Sequence, residues 1–135
     1  MTRTSIFMFL TMLTLGLGNA NAGEVFIISP TNGANVTSPV TVVFGLKGMG
    51  VAPAGVEKVG TGHHHLLIDT DLPDLSYAVP NDPHHIHFGG GQTQANIALA
   101  PGTHTLQLLL ADHNHQPHDP PIISEKITII VEASQ

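Results

Sequence analysis

Ala100-Pro101-Gly102, running into Thr103-His104-Thr105-Leu106-Gln107-Leu108-Leu109-Leu110-Ala111, is the stretch that decides the fold. Pro-Gly sets a tight turn, and the apolar run beyond it reads as a buried strand. Working outward, Asp112 to Pro121 reads as a polar loop and Ile122 to Glu132 as the last strand. Upstream, Thr93 to Leu99 is a strand hairpinned to Thr103–Ala111. Earlier strands are read at Val25–Ser29, Val40–Leu46, His64–Asp69 and Ile86–Phe88. The segments between them are rich in Gly, Pro, Asn and Asp, which punctuate β structure. Lys47–Gly62 is a long glycine-rich loop, and Thr70–Pro83 is irregular and carries Pro73, Pro80 and Pro83. Seven short strands at this spacing predict an all-β fold, an immunoglobulin-like antiparallel β-sandwich.

The first 22 residues read as a secretory signal peptide. Arg3 supplies the positive start, Ile6 to Leu17 the apolar run, and Ala20-Asn21-Ala22 the small-residue cleavage pattern. Cleavage there leaves residues 23–135 as a single β-sandwich domain, periplasmic or secreted, with no further apolar run for stable membrane insertion. The chain has no cysteine, so packing or a ligand must hold the domain, and thiolate zinc sites are excluded. Beyond residue 22, Lys47, Lys58 and Lys126 face ten carboxylates, a formal charge of −7. Nucleic acid and anionic membranes, which need a basic face, are therefore not expected partners.

Histidine is the outlier. All ten lie between His63 and His118, and nine fall in three groups: His63-His64-His65, His84-His85 with His87, and His113, His115 and His118. With strands lettered A to G in chain order, an immunoglobulin topology sets C beside F and D beside E. The first group then opens C, the second sits in and before D, and the third closes F. All three should meet at one end of the sandwich.

Strand parity refines this, because residues two apart share a face. Leu66 and Ile68 facing inward would put His63 and His65 together on the other face, with His64 toward the core. Ile86 and Phe88 facing inward would send His85 and His87 outward together. His113 and His115 share the same spacing, and His118 can fold back across Pro117. The pool of metal ligands is therefore His63, His65, His85, His87, His113, His115 and His118, not all on one ion. Imidazoles without sulfur suit a copper or zinc ion. Met49 reads as packing, with ligation of Cu(I) the alternative. Asp69, Asp112 and Asp119 are candidates to orient imidazoles, with turn formation the commoner role. His104, alone after a Pro-Gly turn, reads as structural.

No nucleophile-elbow or phosphate-cradling motif is present, so the protein is not expected to be an enzyme. The expected role is an exported copper or zinc carrier or buffer whose partner is a metal ion, with another exported protein left open as a partner. Two alternatives stay open: a structural or partner-binding module with pH-responsive histidines, and a metal-dependent enzyme built on three histidines and an open position.

From about Val25 to Val131 the chain resembles an uncharacterised bacterial family known as a domain of unknown function. The resemblance rests on the runs Phe44–Gly55, Gly62–Asp69, His87–Thr93 and Asp112–His115 with His118–Pro121. It implies an exported module of no established activity. Some members carry a rod shape-determining label, which nothing in this sequence supports.

Overall fold

A computed structural model describes residues 23–133. The expected leader over residues 1–22 lies outside the described residues. Ten strands follow in chain order: β1 (Glu24–Ser29), β2 (Asn35–Val36), β3 (Val40–Lys47), β4 (Gly50–Val51), β5 (Thr61–Ile68), β6 (His85–His87), β7 (Gln94–Ile97), β8 (Gly102–Ala111), β9 (Pro117–Ile123) and β10 (Ile127–Val131). No described residue is helical, so among the described residues no helix is long and apolar enough to cross a membrane.

Two sheets face each other and neither closes into a barrel. The smaller has the order β1-β3-β7, and the larger β2-β10-β8-β5-β4, with β6 also paired to β5 and β9 to β8. The all-β sandwich read from the sequence is thus the architecture found. Its core alternates as period-2 strands require. Val25, Val40, Val42 and Phe44 from the small sheet meet Leu66, Ile68, Leu106, Leu108, Leu110, Ile122, Ile129 and Val131 from the large one. The large sheet is apolar on its outer face too. There Leu67, Leu109 and Ala111 pack with Val79, flanked by Leu75 and Ile123. The proline-rich segment after β5 therefore covers that outer face.

The hairpin read between Thr93–Leu99 and Thr103–Ala111 is not formed: β7 pairs with β3 in the small sheet, and the Pro-Gly turn carries the chain across to β8 in the large one. Three further details differ from the sequence expectation. The fourth strand, β6, pairs antiparallel with β5, setting His65 against His87 and Leu67 against His85, and does not pair with β7. Position D was assumed from topology alone, and three residues between a long segment and a glycine turn carry no signal of which edge they join. Second, the expected last strand is two strands. Ser124 interrupts it, donating its backbone N–H to the Leu108 carbonyl while its hydroxyl accepts from the Leu108 N–H. Third, the polar loop after β8 is a short turn, and Pro117–Ile123 already pairs with β8 as an edge, where proline is tolerated.

β5 is the strand that positions the site. It pairs with β8 from His63–Ala111 to Ile68–Leu106, and its other edge takes β4 at Thr61 and Gly62 and β6 at His65 to Leu67. Gly62 lies so close to β8 that an added Cβ would stand 2.7 Å from the Ala111 carbonyl oxygen and 2.8 Å from His118 Nε2.

Candidate metal centre

His63 and His65 are two apart on β5 and share the outer face of the large sheet. That parity is the one expected from the sequence, but the face is not solvent. Both residues are 0% exposed, because the 70–83 segment and the β8–β9 turn cover them. His64 points the other way, into the inter-sheet core, with its ring 5.1 Å from that of Phe44.

Two further rings join the pair. His87 sits opposite His65 in the β5–β6 register. His115 comes from the turn between β8 and β9. There the Asp112 side chain accepts the backbone N–H groups of Asn114 and Gln116, and the His115 N–H donates to the Asp112 carbonyl. His115 has a φ of 66°, a left-handed conformation that favours glycine or asparagine. The covering segment is tied to this turn, since Val79 N–H donates to the His115 carbonyl and the Gln116 amide to that of Leu75.

The four rings form a closed set. Ring centres are 4.8 Å apart for His63–His65, 5.0 Å for His63–His87 and for His63–His115, 5.2 Å for His65–His87, 6.0 Å for His65–His115 and 4.6 Å for His87–His115. His63, His87 and His115 each offer a nitrogen, and these three atoms lie within 4.8 Å of one another, a group that could hold a metal ion. The Nε2 atoms of His87 and His115 are 3.1 Å apart, so one ring donates its N–H to the lone pair of the other. Both nitrogens of His63 and of His65 are buried without a hydrogen-bond partner among the described residues. Leaving a buried polar group unpaired costs about 1–3 kcal/mol, so the cluster as it stands is a source of instability.

The electrostatics keep His63, His65 and His87 neutral. Burial, reinforced by His87 and His115, lowers the His63 pKa to about 4. Burial, then His63, His87 and His115, lowers that of His65 to about 3. Burial and the neighbouring His115 shift His87 downward as well. Neutral imidazoles with free lone pairs are the form that binds metal. A cleft of about 360 Å³ lined by His65, Ala78, Val79, Asn81, His87 and His115 connects the cluster with the surface.

The rest of the expected pool lies elsewhere. His85 is on the same face as His87, but its Nδ1 is held 2.9 Å from Asp82 and it faces Leu67 across the strand pair. His113 and His118 line a separate cleft with Asp112 and the 56–61 loop. Met49 packs against the inter-sheet core, on the opposite side of the sheet from the cluster. Asp69 binds His104, and Asp112 caps its own turn, so neither orients a cluster imidazole. Sequence reading missed the cover: Leu75, Ala78, Val79 and Asn81 sit in a segment whose prolines read only as irregular. Apolar residues spaced four apart at Leu75 and Val79 were the available signal.

A family model described as Domain of unknown function (DUF4399) matches residues 42–132, and the chain belongs to that family. No curated protein and no solved structure matches the chain.

Proposed function

We propose that this DUF4399 protein is an exported metal-binding protein, a copper or zinc carrier or buffer, that holds one ion on His63, His87 and His115. The observation that carries the reading is the meeting of four histidines from three separate elements, with the nitrogens of His63 and His65 buried and unpartnered. An ion would use the His63 lone pair that nothing else satisfies and would replace the hydrogen bond between His87 and His115. The absence of sulfur and carboxylate from the cluster suits imidazole-binding ions such as Zn(II) or copper rather than Ca(II) or Mg(II). Export rests on the leader-like residues 1–22. The cleft is lined, apart from histidines, only by Ala78, Val79 and Asn81. That lining offers no carboxylate base and no hydroxyl nucleophile, which favours binding over catalysis.

Calorimetric titration of the metal-stripped protein with Cu(II) and with Zn(II) near neutral pH tests the reading. The comparison is a variant with His63, His87 and His115 all changed to Ala. One ion per chain, bound by the wild type and lost in the variant, is the expected result. Equal, weak binding by both proteins would reject it and leave a structural or partner-binding module with pH-responsive histidines as the better account.

A further inference from the structure

We infer that His65 is the fourth ligand of a closed, tetrahedral, four-imidazole site. This deepens the metal-binding reading and rests on it. With metal–nitrogen bonds of roughly 2.0–2.1 Å, a tetrahedral ion sets neighbouring nitrogens about 3.3 Å apart and makes all six separations between the four ring centres about 5.2 Å. A square-planar ion with the same bonds would set four pairs of ring centres at about 4.5 Å and two diagonal pairs at about 6.4 Å.

Five of the six separations lie between 4.6 and 5.2 Å, and one, His65–His115, is 6.0 Å. If His65–His115 were one diagonal of a square, His63–His87 would be the other, yet those rings are 5.0 Å apart. The ring centres are therefore closer to a tetrahedron than to a square, with His65 withdrawn from His115 and set beside the trio whose nitrogens already lie within 4.8 Å of one another. The 3.1 Å between the His87 and His115 Nε2 atoms is short enough for both to bind one ion.

The fold explains the shape. His63 and His65 come from one strand and His87 from the strand paired beside it, so these three rise from a single sheet face. His115 comes from a turn at the end of β8 and closes over them. Four ligands drawn from a sheet and a turn above it do not lie in one plane. Cu(II) prefers tetragonal surroundings, whereas Zn(II) has no geometric preference and accepts this shape. The site is thus built for Zn(II), and part of the usual advantage of Cu(II) is lost there.

X-ray absorption on the zinc-loaded wild type counts its imidazoles without any variant, and four are expected. Co(II) added to the metal-stripped protein should give the intense visible bands of a four-coordinate ion. His65→Ala should bind Co(II) about 100-fold more weakly or worse, given that even outer partners of a ligand contribute 10–100-fold. Free imidazole added to His65→Ala should restore the wild-type bands. Three imidazoles in the zinc protein, weak six-coordinate bands in the wild type, or a His65→Ala protein with unchanged affinity and spectrum would each overturn the role of His65 while leaving metal binding intact. A wild type that takes up neither Zn(II) nor Co(II) would overturn both.

Discussion

His115 carries its ring on a backbone of positive φ, where a residue with a Cβ is held at a cost of about 1–2 kcal/mol relative to glycine. The turn tolerates this because Asp112 and the 70–83 segment hold it from both sides. His115→Gly should therefore leave the metal-free protein unchanged or stabilise it by about 1 kcal/mol, while abolishing tight metal binding. Thermal melts of the stripped variant beside a metal titration check both halves, and a variant much less stable than wild type would contradict the argument. His104 obeys a different logic. Its Nδ1 stands 2.6 Å from Asp69 Oδ2 and its Nε2 2.8 Å from the Ala100 carbonyl oxygen, so both nitrogens face acceptors and both must donate. The hydrogen bond to Asp69 raises its pKa. A raised folded pKa gives stability that is fully present below the unfolded value of about 6.5 and is lost as pH rises through the folded value. The stability gap between wild type and His104→Ala, read from denaturant midpoints, should be widest in mild acid and should narrow above neutrality. At this scale the sequence was informative about direction and silent about cover. Parity put His64 inward and His63 with His65 on the other face, because Leu66 and Ile68 declare the core. Nothing local could show that the other face is also buried, since its cover comes from Leu75 and Val79, far along the chain.

Strand β5 carries the site only because it presses against β8, and at Gly62 that packing leaves no room for a side chain. A Cβ there would meet backbone at the Ala111 oxygen, which cannot move aside as a flexible side chain can. Gly62→Ala should destabilise the fold by roughly 1–3 kcal/mol and weaken metal binding with it, because the strain falls one residue from His63. Chemical denaturation and a zinc titration of the variant measure the two effects. Among the elements, the long strands were legible from apolar runs between turns. The short ones were not. Asn35–Val36 and Gly50–Val51 are strands only through partners distant in sequence, β10 and β5. The edge that β6 joins was equally invisible. Pairing it with β5 brings His87 directly opposite His65, so the histidine groups meet through a shorter path than the assumed topology offered. The same pairing explains why His85, two residues earlier, falls beside Leu67 and is held by Asp82.

For the molecule as a whole, buried neutral histidines set the response to acid. The folded pKa values of about 4 for His63 and about 3 for His65 lie below the unfolded value, and burial pushes His64 and His118 in the same direction. The unfolded chain therefore binds more protons than the folded one between those limits, and stability must fall as pH drops below about 6.5. Urea midpoints measured from neutrality down to about pH 5 should decline steadily, and a flat profile would contradict the burial of the cluster. Metal acts oppositely. An ion at about 100 times its dissociation constant adds about 2.7 kcal/mol to the folded state. For a domain of this size that raises the melting temperature by roughly 10 °C or more, readable by calorimetry with and without a chelator. The alternation along β5 has one more consequence. Sliding β5 by a single residue against β8 would exchange its two faces, sending His63 and His65 between the sheets and leaving His64 alone outside. That misaligned chain would still bury leucines on both sides, so hydrophobicity discriminates poorly against it. It would, however, offer one imidazole from this strand where the native alignment offers two. An ion that binds the cluster thus proofreads the zipper, rewarding the correct tooth and ignoring its neighbour.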